Sequence, residues 1–515
     1  MNHYIDYRAP REHGGRLIQP ELRDVSRVLR ENTRISDGLP GQLVSLRESG
    51  RQQMLAAALR YTRTYRDFEA PSHGRPILMA GHQPTLSHPG VWFKNFALDS
   101  IARTVGGTAV NLVVDSDVAG PSSIRVPTRV SEGGRSQLQR TVVEFDGSGG
   151  GVPYEQSLIQ DRDLFETFDE RVAGALGSVI KTPLIRSLWN HARDAIERCG
   201  FAGCALAQAR HRLEADVGLS TLEMPQSVVC RTPAFAVFAM EILGDLPRFH
   251  RCYNSAADHY RLVHGIRSHS HPVPNLRRED DWYEAPIWVY GNQSPKRRAL
   301  WVRRTDGQLE FTDGDFPRLG KLQLTLPDDP ARGAEALVAS ASPELKLRSR
   351  ALITTMYARL ILSDLFVHGI GGGKYDQLGD EISRAFWSID EVPSFLVTSA
   401  TVRLPGHHQC DEFEIASRIR ALRLRLREIE FHPERFRHEV NDLPEALMEK
   451  KDELLGAIPP RGRRADWHQS LVATNQSLSA HLEPLRRATS QEINGLRDEM
   501  PNAALWSSRE HSFCL

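Results

Sequence analysis

Between Gly81 and Asn95 the chain reads Gly-His-Gln-Pro-Thr-Leu-Ser-His-Pro-Gly-Val-Trp-Phe-Lys-Asn, with two imidazoles, a glutamine, a lysine and an asparagine within one short stretch. This density of polar groups suits stabilisation of charge on a phosphoryl group or an oxyanion. His82 and His88 are expected to offset the developing charge, with Lys94 reaching in beside them. Gly81, Gln83 and Asn95 are the accompanying candidates for binding substrate or nucleotide. The stretch is neither GxxxxGK[ST] nor GxGxxG, so it specifies no cofactor, although ATP or ADP is compatible with it. Asp115 and Asp117 follow a second apolar run. Carboxylates at such a place can hold a ribose hydroxyl or a metal, act as base toward an incoming amine, or simply cap the next segment.

Two further stretches carry similar groups. The first, His264-Gly-Ile-Arg-Ser-His-Ser-His-Pro272, offers His264, Arg267 and His271 for a carboxylate substrate, with Asn254 upstream. No CxxC pair or HExxH helix accompanies these histidines, so no metal site is assigned. The second, His368-Gly-Ile-Gly-Gly-Gly-Lys-Tyr-Asp376, offers Gly371, Gly372, Gly373, Lys374, Tyr375 and Asp376. Consecutive glycines let backbone amides approach an anion closely, and a lysine adds a fixed cation. Only eight of the 65 basic residues are lysines, and two of them, Lys94 and Lys374, fall in these motifs. Arginine is the default surface cation here, so each lysine position is informative.

The elements that must position these groups read as an α/β fold. Pro76–Ala80 and Val110–Val114 are short apolar runs. Between them Val91–Ala102 is amphipathic, and Pro89 suits the first turn of a helix. Strand, loop, helix and strand at this spacing predict a βαβ unit of a Rossmann-like parallel sheet, with the Gly81–Asn95 loop at its carboxyl edge beside a helix N-terminus. A charged, helical segment over residues 1–70 precedes the first part of this core, 71–150, which ends with a strand candidate at Arg140–Phe145. A mainly helical connecting region covers 151–280. A second core part, 281–410, has strands near Trp282–Tyr290, Leu300–Arg304 and Leu322–Leu326. Within it a helix is expected over Ala351–Phe366 and a glycine-rich turn over Gly369–Gly373. In 411–515, Ile415, Ile419, Leu422, Leu426 and Ile429 step by four and three residues, as do parts of Leu471, Leu478, Leu482 and Leu485. This predicts a coiled-coil hairpin turning near Pro459-Pro460, with Pro484 kinking or restarting its second helix. Ordinary amphipathic helices lying on a globular body are the competing reading.

Composition narrows the class. The 515 residues carry 65 basic and 65 acidic side chains, so no net positive charge favours nucleic acid. Forty per cent of the residues are hydrophobic, which supports a large core. Six cysteines in a chain of this length are too sparse for a disulfide framework and fit a reducing cytoplasm. No apolar run approaches a membrane span and the first residues show no apolar h-region, so a soluble, unexported chain is expected.

Gly81-x-Gln83-Pro84-x-Leu86, followed by Gly90 and Lys94, resembles a motif of the cysteine-adding ligases of bacillithiol biosynthesis. Ile370-Gly371-Gly372 and Ser399-Ala400-Thr401 resemble two later motifs of that family. His82-Gln83-Pro84 is also similar to the opening of the WbqC-like proteins. The ligase resemblance implies a Rossmann-like core, a helical connecting domain, a coiled coil used for homodimerisation, and the joining of cysteine to a sugar amine. His82 stands where that family has glutamine, and His264–His271 has no counterpart in it. The expectation is a cytoplasmic enzyme acting on a small molecule, either a ligase-like enzyme forming a C–N bond or an acyl or nucleotidyl transferase. Two alternatives stay open: a metal-dependent hydrolase or transferase using His82, His88, Asp115 and Asp117, and a non-catalytic coiled-coil scaffold.

Overall fold

Six strands from widely separated parts of the chain meet in one sheet in the computed structural model, which describes residues 4–132, 135–315, 318–319, 322–406, 411–440 and 443–515. They are β1 (Arg16–Gln19), β2 (Ile77–His82), β3 (Thr108–Val113), β4 (Leu222–Pro225), β5 (Leu365–Gly369) and β6 (Phe395–Ala400), in the spatial order β1-β6-β5-β2-β3-β4. All neighbours are parallel except β1, which pairs antiparallel with β6 at the edge.

The parallel strands read as unbroken apolar runs because both faces are covered. Along β2, Leu78 and Ala80 pack on one face with Leu98, Ile101 and Ala102 of helix α1 (Pro89–Val105). Ile77 and Met79 face the opposite core, which holds Leu378, Ile382 and Phe386 of helix α2 (Ile370–Trp387). From β2 the chain steps outward to β3 and β4, then returns to the other side of β2 for β5 and β6. The strand order therefore reverses between β2 and β5, and a crevice opens outside their carboxyl ends at such a reversal. α1 and α2 follow β2 and β5 directly, so both helices begin at that crevice from opposite faces of the sheet.

Several elements differ from the sequence expectation. The strand expected at Pro76–Ala80 runs on through His82, the helix expected from Val91 begins at Pro89, and the strand near Arg140–Phe145 forms a separate ribbon, Ser123–Glu132 with Arg135–Glu144. Region 151–280 is mostly helical, yet it supplies β4 to the sheet. The helix expected over Ala351–Phe366 ends at Leu362 and Phe366 lies in β5, opposite Met79 and Phe395. A continuous apolar run does not distinguish a buried helix from a buried strand. Gly369–Gly373 is not a free turn: Gly369 precedes α2, and the other glycines form its first turn. Residues 282–349 build a second, antiparallel sheet, with a register shift between Ala285 and Trp288.

In the C-terminal region Ile415, Ile419 and Leu422 of Glu412–Phe431 bury against Ile493 and Ala503 of the helix Glu483–Ser507. Ile429 meets Leu482 and Phe436. The expected partner stripe beginning at Leu471 is thus displaced toward the last helix, which restarts with Pro484 in its first turn. No described helix is long and apolar enough to cross a membrane.

Candidate functional site

A cavity of about 920 Å3 occupies the crevice at the carboxyl ends of β2 and β5. Among the sequence candidates, Gly81, His82, Gln83, His88, Lys94, Asp117, Gly371, Gly372, Lys374 and Tyr375 line it. α1 enters from one side. Its N-cap is His88, whose Nδ1 accepts a hydrogen bond from Gly90 N at 3.1 Å, and Pro89 lies in the first turn. Gly90 is required by close approach: a Cβ there would overlap Ala400 O and lie 2.9 Å from His88 Cε1. α2 enters from the other side with Gly369 as N-cap and no side chain capping its first amides. Both helices direct the positive ends of their dipoles toward one space; the first amides of α1 are taken up by His88, Gly90 N by its Nδ1 and Val91 N by its carbonyl at 3.0 Å, so the uncapped N–H groups are those of α2.

Lys94 lies in the second turn of α1 and is buried. Its Nζ donates to Gly81 O, and no carboxylate forms an ion pair with it among the described residues. Burial, reinforced by the Arg210 guanidinium, pulls the ammonium down to about 7. A buried cation without a counter-ion is poised for an anionic ligand, because such a ligand supplies the missing partner.

The imidazoles play other parts than those expected of them. Burial, with Lys94 adding to it, pushes His82 down to about 3. The ring is therefore neutral; its Nδ1 donates to Gln83 O at 3.0 Å, which leaves Nε2 as an acceptor. Burial also lowers His88, and its Nδ1 is engaged in the cap. His82 thus faces the cavity as a neutral ring and His88 as the cap of α1, and the cation buried between them and the sheet is Lys94.

Asp117 is held by Gln83 Nε2 at 2.9 Å and by Arg297 Nη1 at 2.9 Å. Arg297 and Arg350 lie 4.8 and 3.9 Å from the ring centroid of Trp288, which the irregularity in its strand turns into the cavity wall. Arg350 also pairs with Glu284 Oε1 at 2.6 Å. Lys374 sits at the rim, paired with Asp6 at 2.8 Å, and burial pushes the Tyr375 phenol up to about 12. Among the described lining residues there are six lysine and arginine side chains, Arg8, Lys94, Arg297, Arg350, Lys374 and Arg509, against one carboxylate, Asp117. Five of these cations are paired, Arg8 and Lys374 with Asp6, Arg297 with Asp117, Arg350 with Glu284 and Arg509 with Glu510, so among the described residues the cation left without a carboxylate is Lys94.

The remaining candidates lie elsewhere. Asp115 is buried beneath the cavity and accepts from Ser227 N at 2.8 Å and Ser227 Oγ at 2.5 Å, fixing the chain after β4. Burial and the neighbouring Glu155 raise it to about 6. Asn95 donates to Glu214 Oε1 at 2.6 Å, which also accepts from Trp92 Nε1 at 2.8 Å, so it belongs to a buried packing network. Asn254 makes reciprocal bonds to the backbone of Leu276 at 2.9 and 2.8 Å. His264, Arg267 and His271 are exposed; Arg261 gathers their loop by binding the carbonyls of His269 and His271. Gly373 packs against Val397, where a Cβ would overlap. Asp376 is buried in an ion pair with Arg359 at 2.8 Å. Among the described residues no group of three or more His, Cys, Asp or Glu is placed to hold a metal.

Sequence reasoning did not select His368, Trp288, Arg297, Arg350 or Arg509. His368 opens the quoted glycine motif, so its position was visible; the others gave no local signal, because tertiary packing alone brings them to the crevice. Comparison with protein-family models finds no match to the chain, and comparison with curated proteins finds none.

Proposed function

We propose that this chain is a ligase-like enzyme that joins an amino acid, cysteine-like by resemblance, to the amine of a small acceptor such as a sugar amine, with a phosphate-bearing group held in the crevice. The observation that carries this reading is Lys94: a buried ammonium without a carboxylate partner among the described residues, at the meeting point of two helix N-termini. An anionic ligand completes that electrostatics, and ATP or ADP has the required chemistry.

The strand order and its reversal support reading the sheet as a Rossmann-like core. The pairing of Glu412–Phe431 with Glu483–Ser507 supports a coiled-coil-like hairpin, whose apolar stripe is covered within the chain. A homodimer through these helices would therefore use their outer faces. Asp117, with its oxygens engaged by Gln83 and Arg297, is suited to orienting a substrate amine or hydroxyl.

Calorimetric titration tests the reading. ATP and inorganic pyrophosphate are each expected to bind the wild type, and Lys94→Met is expected to weaken both at least ~10-fold, equivalent to about 1.4 kcal/mol. Incubation with ATP, L-cysteine and a glucosaminyl-malate acceptor should yield the amide by mass spectrometry. Absence of phosphate binding in the wild type, or unchanged binding in Lys94→Met, overturns the assignment.

A further inference from the structure

His368 and Asp376 form a buried polar pair beside the cavity. His368, in β5, is 4% exposed and lines the cavity, and its Nε2 lies 2.8 Å from Asp376 Oδ2. Asp376 also accepts from Thr355 Oγ1 at 2.5 Å and Arg359 Nη1 at 2.8 Å. Burial pushes the Asp376 carboxyl up, but Arg359 and His368 outweigh it and hold the group well below the usual carboxylate range. An ionised acceptor at Nε2 fixes the neutral ring with its proton on Nε2 and its lone pair on Nδ1.

That Nδ1 has no hydrogen-bond partner among the described residues. It faces Gly372, where a Cβ would lie 2.7 Å away, so the absence of a side chain at 372 leaves the nitrogen uncovered. The sheet register sets Val367 opposite Ala80, which brings His368 level with Gly81, the residue whose carbonyl accepts from Lys94. The charged groups acting on the ring are Asp376 from α2, Arg359 from the helical segment ending at Leu362, and Lys94 from α1. Burial lowers the ring's basicity and wins over Asp376, with Arg359 and Lys94 lowering it further. A phosphate bound at Lys94 offsets one of these opposing charges, so the ring becomes a better base when the site is loaded.

We infer that His368 is the proton acceptor of this cavity, its Nδ1 taking a proton from the ammonium form of the acceptor substrate, with Asp376 as its positioning residue. This rests on the ligase reading. The ammonium R–NH3+ becomes R–NH2 and the imidazole becomes imidazolium. The nitrogen lone pair forms a C–N bond to the carbonyl carbon of an acyl phosphate or acyl adenylate. The C–O bond to phosphate breaks, its electron pair leaves with the phosphate, and the amide nitrogen loses its surplus proton to that leaving group. Among the other candidates, His82 has no carboxylate partner among the described residues to fix its ring, its Nδ1 being bound to Gln83 O, and Asp117, held by Gln83 and Arg297, keeps the orienting part.

Two measurements on the full chain test this. In 15N-histidine-labelled protein, with the signal assigned by its loss in His368→Gln, the free nitrogen is expected to be Nδ1. Saturating inorganic pyrophosphate should shift the ring's titration upward, and Asp376→Asn should shift it downward. A proton on Nδ1, or a titration unmoved by pyrophosphate, overturns the inference whether or not amide is formed. Where the wild type forms amide, His368→Gln should lower kcat by about 10²–10⁴-fold and remove the acidic limb of the pH profile, with pyrophosphate Kd within about twofold. Asp376→Asn should displace that limb. Amide formation by His368→Gln at the wild-type rate refutes the base while leaving the ligase reading intact; absence of amide in the wild type refutes the ligase reading, and the nitrogen signals still decide the proton acceptor.

Discussion

Lys94 concentrates the physics of the crevice in one side chain. Its ammonium is removed from water, no carboxylate pairs with it among the described residues, and Arg210 stands behind it, so the folded state holds it near 7 against an ordinary value of 10.5. Between these values the unfolded chain binds more protons at this position than the folded chain, and stability from this group rises with pH. Below about 7 the full penalty is present, and above about 10.5 it is gone. The melting temperature of the wild type relative to Lys94→Met should therefore climb between pH 7 and 10, and parallel curves would refute the assignment. The same linkage acts on binding: an anion that favours the charged form makes the protein take up a proton at pH 8. Pyrophosphate titrations in buffers of different ionisation enthalpy should show that uptake in the wild type and lose it in Lys94→Met.

At the scale of elements, the glycines at the start of α2 separate two functions that look identical in sequence. Gly371 has no atom within 4 Å of a would-be Cβ, whereas Gly373 lies against Val397 and Phe395. Gly371→Ala should stabilise the chain by about 0.5–1 kcal/mol through helix propensity, while weakening pyrophosphate binding by crowding the amides. Gly373→Ala should destabilise by about 1–3 kcal/mol through overpacking. Urea unfolding of both variants checks the contrast, and equal effects would remove it. The βαβ unit was readable because two-sided burial leaves an apolar run that turn residues delimit. β5 was hidden because only the dipeptide Ser363-Asp364 separates the apolar residues of the preceding helix from those of the strand. Asn95, Asp115 and Asn254 have residue types suited to chemistry, yet hydrogen bonds within the fold absorb them. Sequence discloses a polar side chain but not its partner.

On the scale of the whole molecule, residues 508–515 return from the helix Glu483–Ser507 to the first loop of the sheet. Phe513 N donates to Ser87 O at 2.7 Å, and the Phe513 ring lies 4.6 Å from that of Trp92, between centroids. Phe513 and Cys514 are buried in the core that holds Trp189, while Arg509 lines the cavity. The C-terminal helices are thereby tied to the loop that carries His82 and His88, and a cation from the far end of the chain completes the crevice. Phe513→Ala removes the anchor; it should cost about 3–5 kcal/mol if the segment stays docked, and less where the segment detaches. In either case hydrogen exchange over residues 83–90 should rise, and pyrophosphate binding should weaken several-fold as Arg509 loses its position. Arg509→Ala should weaken binding with little change in melting temperature, because among the described residues Arg509 is bound only by Thr401 Oγ1 at 3.4 Å and the exposed Glu510 at 3.3 Å. If Phe513→Ala leaves both loop exchange and pyrophosphate affinity at wild-type values, the segment is a packing element only, and the site's electrostatics belong to the sheet and its two helices.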